Sequence, residues 1–404
     1  MPDRTYDLVL FGASGFTGAL TAEYLARAVG ASGTAGQCRW ALAGRDLAKL
    51  EAVRDRLAAI DSGLADLPLL VADAADPAGL REIVEDTRVV ATTVGPYIVH
   101  GEPLVAACAA AGTDYLDLTG EPEFVDLMYV RYHERAKATG ARIVHCCGFD
   151  SIPHDLGAYY TVGLLPDGVP IRVDGYVRAA LRPSGGTVHS AVTAFSRARQ
   201  TFRAAAARRR AEHGEGTSGR RSRLRSRPPH LARGLGWALP FPSIDPQVVI
   251  RSARALPRYG PDFTYGHHFA TRRLTGAVGL AAGTAAAFVL AQPPPTRSWL
   301  LRRFPAGSGP TTDQRAANWF KVRFTGMGGG HRVVTEVAGG DPGYDETAKM
   351  FGESALCLAF DDLPETAGQV TTAVAMGDAL IERLRSAGIT FTTLAESKGV
   401  PDAE

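Results

Sequence analysis

LVLFGASGFTGALTAEYLARA, residues Leu8 to Ala28, passes from an apolar run through a glycine-rich junction into a helix-compatible segment. Tyr6 to Phe11 suits a buried strand. Phe16 to Val29 holds no proline, and no glycine after Gly18, which suits a helix. Gly12, Ser14, Gly15, Phe16, Thr17 and Gly18 therefore stand where a strand turns into a helix. A turn of this kind lets backbone N–H groups and the positive helix end approach a diphosphate. The spacing is G-x-x-G-x-x-G, not G-x-G-x-x-G. Glycines also serve positive φ and close packing, so the next strand has to arbitrate.

That strand, CRWALAG, ends at Ala43-Gly44-Arg45, and Asp46 is placed to cap the following helix. Folds of this type that take NAD put a carboxylate at the tip to hold the ribose 2′-hydroxyl. Arg45 instead offers a guanidinium, with Lys49 one turn on, which suits the 2′-phosphate of NADP(H). Strand and helix patterns then alternate to residue 150, with strands ending at Asp73, Gly95, Gly120 and Cys147. This predicts an α/β, Rossmann-type doubly wound parallel sheet over residues 1–150. Ligands bind beyond the carboxyl ends of such strands. Asp73 is placed to reach adenine. Thr93, Gly95 and Pro96, then Gly120, then Cys147 and Gly148, are placed around the nicotinamide half. Tyr97 is the first candidate proton donor and His154, beyond the sixth strand, the second. Nothing marks Cys146 or Cys147 as nucleophiles. His267-His268 has no partner at ligand spacing, so no metal site is expected.

Beyond residue 150 the pattern changes. IRVDGYVRA reads as a strand, and WFKVRFTGMGGGHRVVTEVAG as a hairpin turned at its glycines. Residues 151–370 are expected to form a second, α+β domain with a mainly antiparallel sheet. The helical pattern within 371–387 is expected to dock back on the first domain. The net charge of +2 excludes a nucleic-acid-binding bias for the whole chain, yet Arg197 to Arg233 holds twelve arginines and two acids. Rich in Ser, Gly and Pro, Gly214 to Arg233 is expected to be a mobile loop that docks on an acidic carrier protein or an anionic membrane. Between Arg273 and Arg297 no residue is charged, and Thr275–Ala291 reads as a buried helix, a dimer contact or a membrane-touching helix. Five cysteines form no C-x-x-C pair, and the first strand leaves no room for a signal peptide. A cytoplasmic setting follows, with membrane association left open by that apolar segment.

FGASGFTG, AGRDLAKL, TTVGPY, LVAACAAAGTDYLDLTGE, GFDSIPHDLG, GYDETAKM and AMGDALIERLRSAGITF, in this order, resemble the saccharopine dehydrogenase-like oxidoreductases. Within that superfamily the resemblance is to the actinobacterial trans-acting enoyl reductase branch. It implies NADPH binding at Gly12–Gly18 and Arg45, a second domain for substrate and dimer contacts, and reduction of a C=C bond in a lipid-like or carrier-linked, polyketide-type substrate. Two rivals stand beside it. One is a saccharopine-type dehydrogenase of amino-acid imines, which needs a cationic cluster for carboxylates, and none stands out in the ordered part of the second domain. The other is an NADP-binding membrane- or lipid-associated protein without turnover.

Overall fold

The first strand runs Tyr6–Phe11 (β1), and its residues alternate between two apolar clusters, Leu8 and Leu10 in one, Val9 and Phe11 in the other. A strand buried on both faces requires cover above and below. The computed structural model describes residues 4–31, 38–180, 185–212, 219–303 and 310–399. The next strands are Trp40–Gly44 (β2), Leu69–Val71 (β3), Thr87–Thr92 (β4), Asp114–Asp117 (β5) and Arg142–Val144 (β6). They pair in parallel in the order β3-β2-β1-β4-β5-β6, the doubly wound arrangement expected.

After the helix Ile152–Val162 come Ile171–Ala180 (β7), Arg221–Arg225 (β8), His230–Ala232 (β9), Gly236–Pro240 (β10), Asp262–Thr271 (β11), Trp319–Gly328 (β12) and His331–Gly339 (β13). The chain closes with Gly368–Val370 (β14) and Thr390–Lys398 (β15). The second sheet runs β15-β13-β12-β7-β11-β10-β9, with β8 added beside β11. It is mixed rather than antiparallel throughout, because β11 pairs in parallel with both β7 and β8. The β12–β13 hairpin turns through Gly329 and Gly330, both at positive φ, as a tight two-residue turn demands.

Three expectations change. β14 pairs with β6 as a seventh strand of the first sheet, and the helix Asp345–Phe360 lies on that sheet against β1 and β4. The segment 345–370 thus packs with the first sheet. The helix Gly377–Ser386 reaches the first domain by packing on Asp345–Phe360. The arginine-rich segment is not a free loop where it is described. Ala198–Glu212 is a helix against Pro122–Thr139, while β8, β9 and β10 belong to the second sheet. Residues 214–218 of that expected loop lie outside the described residues. Finally, Leu274–Ala291 is a helix, but it is not buried, since Val278 and Val289 are 59% and 64% exposed. Among the described residues it is the one helix long and apolar enough to cross a membrane.

Candidate functional site

The glycines of the first turn divide into two kinds. Gly12 has φ +86°, and a Cβ there would stand 2.6 Å from Val94 Cγ2. A Cβ on Gly18 would stand 2.2 Å from the Gly12 carbonyl oxygen, so these two glycines let the helix pack against the strand end. Gly15 is exposed, and a Cβ there meets nothing closer than 3.4 Å. Its side of the turn is the open one, beside the first amides of the helix Phe16–Ala31, which lack intrahelical acceptors. These residues fit a diphosphate. Thr93 braces the turn by donating from Oγ1 to the Gly12 carbonyl at 3.1 Å. Ser14 lies beside Gly44, Thr17 accepts from Thr21 through its carbonyl, and the Phe16 ring meets Tyr344 edge-on. Arg45 is exposed at the tip of β2. Lys49 is 3.2 Å from Asp46, whose carboxylate also caps the next helix, so Arg45 is the better placed for a 2′-phosphate. Asp73, just past β3, accepts from the Ala75 amide.

At the ends of β4, β5 and β6, two buried carboxylates hold the loops. Asp117 accepts from the Tyr115 hydroxyl at 2.9 Å and from the Thr119 and Cys146 amides at 3.0 and 3.1 Å, and it faces His145 Nδ1 at 2.6 Å. Glu121 accepts from the Tyr97 and Ile98 amides at 3.0 and 2.9 Å, fixing the turn after Gly95-Pro96. The Tyr97 hydroxyl donates to the Thr92 carbonyl and accepts from the Leu118 amide, tying β4 to β5. Burial and the nearby Asp117 raise it well above the ordinary tyrosine range. Cys147 is wholly buried, and burial holds both the Cys146 and Cys147 thiols well above their usual range. Gly148 packs against Leu118 and Thr347, and Thr347 Oγ1 accepts from the Phe149 amide. The GYDETAKM motif thereby braces the loop after β6.

Sequence reading passed over Asp150. Its carboxylate lies against Gly120, where an added Cβ would be 3.0 Å from Oδ2. The surrounding protein and then Asp245 push its carboxyl up to about 7, although the side chain still meets solvent. His154 behaves otherwise. It is fully buried, and burial pushes it down to about 3, so its ring is neutral near pH 7.

His267 also has company that its sequence spacing concealed. His154 Nδ1 lies 3.7 Å from Asp245 Oδ1, and His267 Nε2 lies 3.5 Å from Asp245 Oδ2. The expectation that this histidine lacks partners fails because Asp245 arrives from a helix remote in sequence from both. On the far side of β6, a cavity of about 560 Å³ has Val125, Val248 and Val370 at its apolar wall and Arg208, Arg221, Arg223 and Arg251 among its lining. A cationic cluster therefore does exist in the second half of the chain.

The saccharopine dehydrogenase NADP binding domain family model matches residues 8–144. A trans-acting enoyl reductase of Mycobacterium ulcerans is 37% identical over 96% of this chain and 97% of its own. The chain belongs to the saccharopine dehydrogenase-like oxidoreductase family. A member from Rattus norvegicus bearing that family name is 32% identical, covering 98% of this chain and 99% of its own. The fold is that of apo saccharopine dehydrogenase (L-Glu forming) from Saccharomyces cerevisiae, with a TM-score of 0.52 at 13% identity over 96% of this chain and 99% of that one. As a family member the protein is an NADP(H)-binding oxidoreductase.

Proposed function

We propose that this oxidoreductase reduces the C=C bond of an enoyl thioester carried on a phosphopantetheine-type arm. The observation that carries the reading is full-length likeness to a trans-acting enoyl reductase. When bound, NADPH supplies a hydride, which adds to the β-carbon while a proton adds to the α-carbon. The chain's own residues orient, exclude water and deliver that proton. Gly15 and the helix start bind the diphosphate, Arg45 the 2′-phosphate, and the turn held by Glu121 forms the wall of the nicotinamide half.

For the proton we propose Asp150 in place of Tyr97 or His154. The Tyr97 hydroxyl is occupied on both sides by backbone groups. His154 is held neutral in a closed site. Asp150 combines a place at the strand-end edge, access to solvent and an affinity for protons near neutral pH. The arginine-lined cavity supports the carrier arm. Its guanidinium groups suit a phosphodiester, and its valines suit the pantetheine chain.

The decisive experiment follows NADPH oxidation with trans-2-enoyl thioesters of a carrier protein, with product mass read for a gain of two hydrogens. Turnover only with an imine of an amino acid would overturn this reading in favour of the saccharopine-type alternative.

A further inference from the structure

Three buried side chains from three separate elements converge beside the loop after β6. His154 belongs to the helix Ile152–Val162, Asp245 opens the helix Asp245–Ala255, and His267 is on β11. They are 1%, 5% and 7% exposed. One ligand atom from each lies within 4.8 Å of the others. Neither ring nitrogen of His154 makes a well-formed hydrogen bond, although the Phe149 backbone and the Asp245 carboxylate both lie near the ring. Burying an imidazole without well-formed hydrogen bonds is unfavourable, so a ligand that engages one of its nitrogens stabilises this arrangement.

We propose that His154, Asp245 and His267 bind one divalent transition-metal ion of the zinc type. Ligand atoms at about 2.0–2.2 Å from a tetrahedral ion are roughly 3.3–3.6 Å apart. His154 Nδ1 stands 3.7 Å from Asp245 Oδ1 and His267 Nε2 3.5 Å from Oδ2, so the carboxylate bridges the two imidazoles at about that edge length and one of its oxygens serves as the ligand. Two imidazoles and a carboxylate form a nitrogen–oxygen set that suits zinc and leaves a fourth position open.

The outer groups fit as well. The Tyr265 hydroxyl stands 3.3 Å from His267 Nδ1, which assigns that nitrogen to an outer hydrogen bond and leaves Nε2 for the ion. Ser243 Oγ donates to Asp245 Oδ2 at 2.8 Å, and Ser151 Oγ to Oδ1 at 3.4 Å, orienting the carboxylate. Ser243 Oγ is also 3.3 Å from His267 Nε2 and must turn aside when that nitrogen takes the ion. Phe149 closes the side of His154 and packs in turn on Phe320. This inference concerns a site outside the cofactor turn and does not rest on the enoyl substrate.

The test uses the full chain, stripped with a chelator and titrated with Zn²⁺ against a competing metal indicator, with Co²⁺ absorption reporting coordination. NADPH binding serves as the check that each variant is folded. One ion per chain is expected. Asp245→Asn and His267→Gln each weaken it by about 100-fold or more, beyond the ~10–100-fold typical of losing an outer partner, which is the loss expected for Tyr265→Phe. Tyr265→Phe keeps all three ligands, so it remains informative where a ligand variant fails to fold. Less than one ion per wild-type chain overturns the proposal. Unchanged affinity in Tyr265→Phe, or in a folded ligand variant, also overturns it.

Discussion

At the scale of single residues, cofactor choice and proton delivery separate cleanly. Arg45 stands exposed at the end of β2, whereas Lys49 is engaged with Asp46. Arg45→Ala is therefore expected to weaken NADPH by roughly ten- to a hundred-fold, the worth of a charged hydrogen bond of ~1.5–3 kcal/mol, and to leave NADH nearly unchanged. Fluorescence titration with both cofactors checks it, and equal losses would reduce Arg45 to a supporting role. Asp150→Asn is expected to cost ~10²–10⁴ in turnover with NADPH affinity preserved, because a general acid acts only in the transition state. The sign with pH is definite. The acid works protonated, so turnover of the metal-free chain falls as pH rises through about 7, a divalent ion on Asp245 moves that limb to lower pH, and the variant loses it. Tyr97 and Arg45 show what a sequence can and cannot convey here. A strand end and the charge at its tip are local, so the place of Arg45 was legible. The occupation of the Tyr97 hydroxyl by Thr92 and Leu118 depends on strand pairing across the sheet, and no local signal announces it.

At the scale of elements, the arginine-rich segment shows why composition misleads. Its charges are countered by acids far away in sequence. Arg197 grips Glu123 with two bonds of 2.7 Å, Arg208 meets Asp126, and Arg223 meets Asp262. The Arg208 guanidinium also stacks 4.0 Å over the Tyr129 ring. Pairing of this kind, buried at Arg208 and more exposed at Arg197 and Arg223, orders a segment that looks solvated when read alone. The surplus of arginine over acid in the cavity lining is what a phosphodiester would meet. Arg221 lies at the exposed rim on β8, and Arg221→Glu together with Arg223→Glu reverses two of its charges. We expect KM for a carrier-linked enoyl thioester to rise by about tenfold or more, the worth of at least one charged hydrogen bond of ~1.5–3 kcal/mol. The turnover number and the KM for a short N-acetylcysteamine thioester should stay put. Steady-state kinetics on both substrates decides it, and a parallel rise in both would place the effect on the fold rather than on the carrier arm.

At the scale of the whole molecule, the end of the chain ties both sheets together. β14 extends the first sheet beside β6, and twenty residues later β15 extends the second beside β13. Between them Thr372 Oγ1 and the Ala373 amide donate to Asp155 at 2.8 and 2.9 Å, locking this segment to the interdomain helix Ile152–Val162. A three-residue edge strand after a long excursion carries almost no local pattern, which is why β14 was not legible in the sequence while β1 was. Met376, Leu380, Ile381, Leu384, Ile389 and Phe391 are all buried. At ~1.5–3 kcal/mol for each such side chain, their removal forfeits about as much as the ~5–15 kcal/mol that stabilises a typical protein. A chain ending at Ala367 is therefore expected to lose NADPH binding and cooperative unfolding together, although every residue proposed to bind the cofactor is retained. Leu380→Ala gives the graded version. It should cost ~2–5 kcal/mol and lower one shared thermal transition, seen alike by NADPH release and by near-ultraviolet circular dichroism. Two separated transitions, with NADPH release at the wild-type temperature, would show that the first sheet folds without the C-terminal segment.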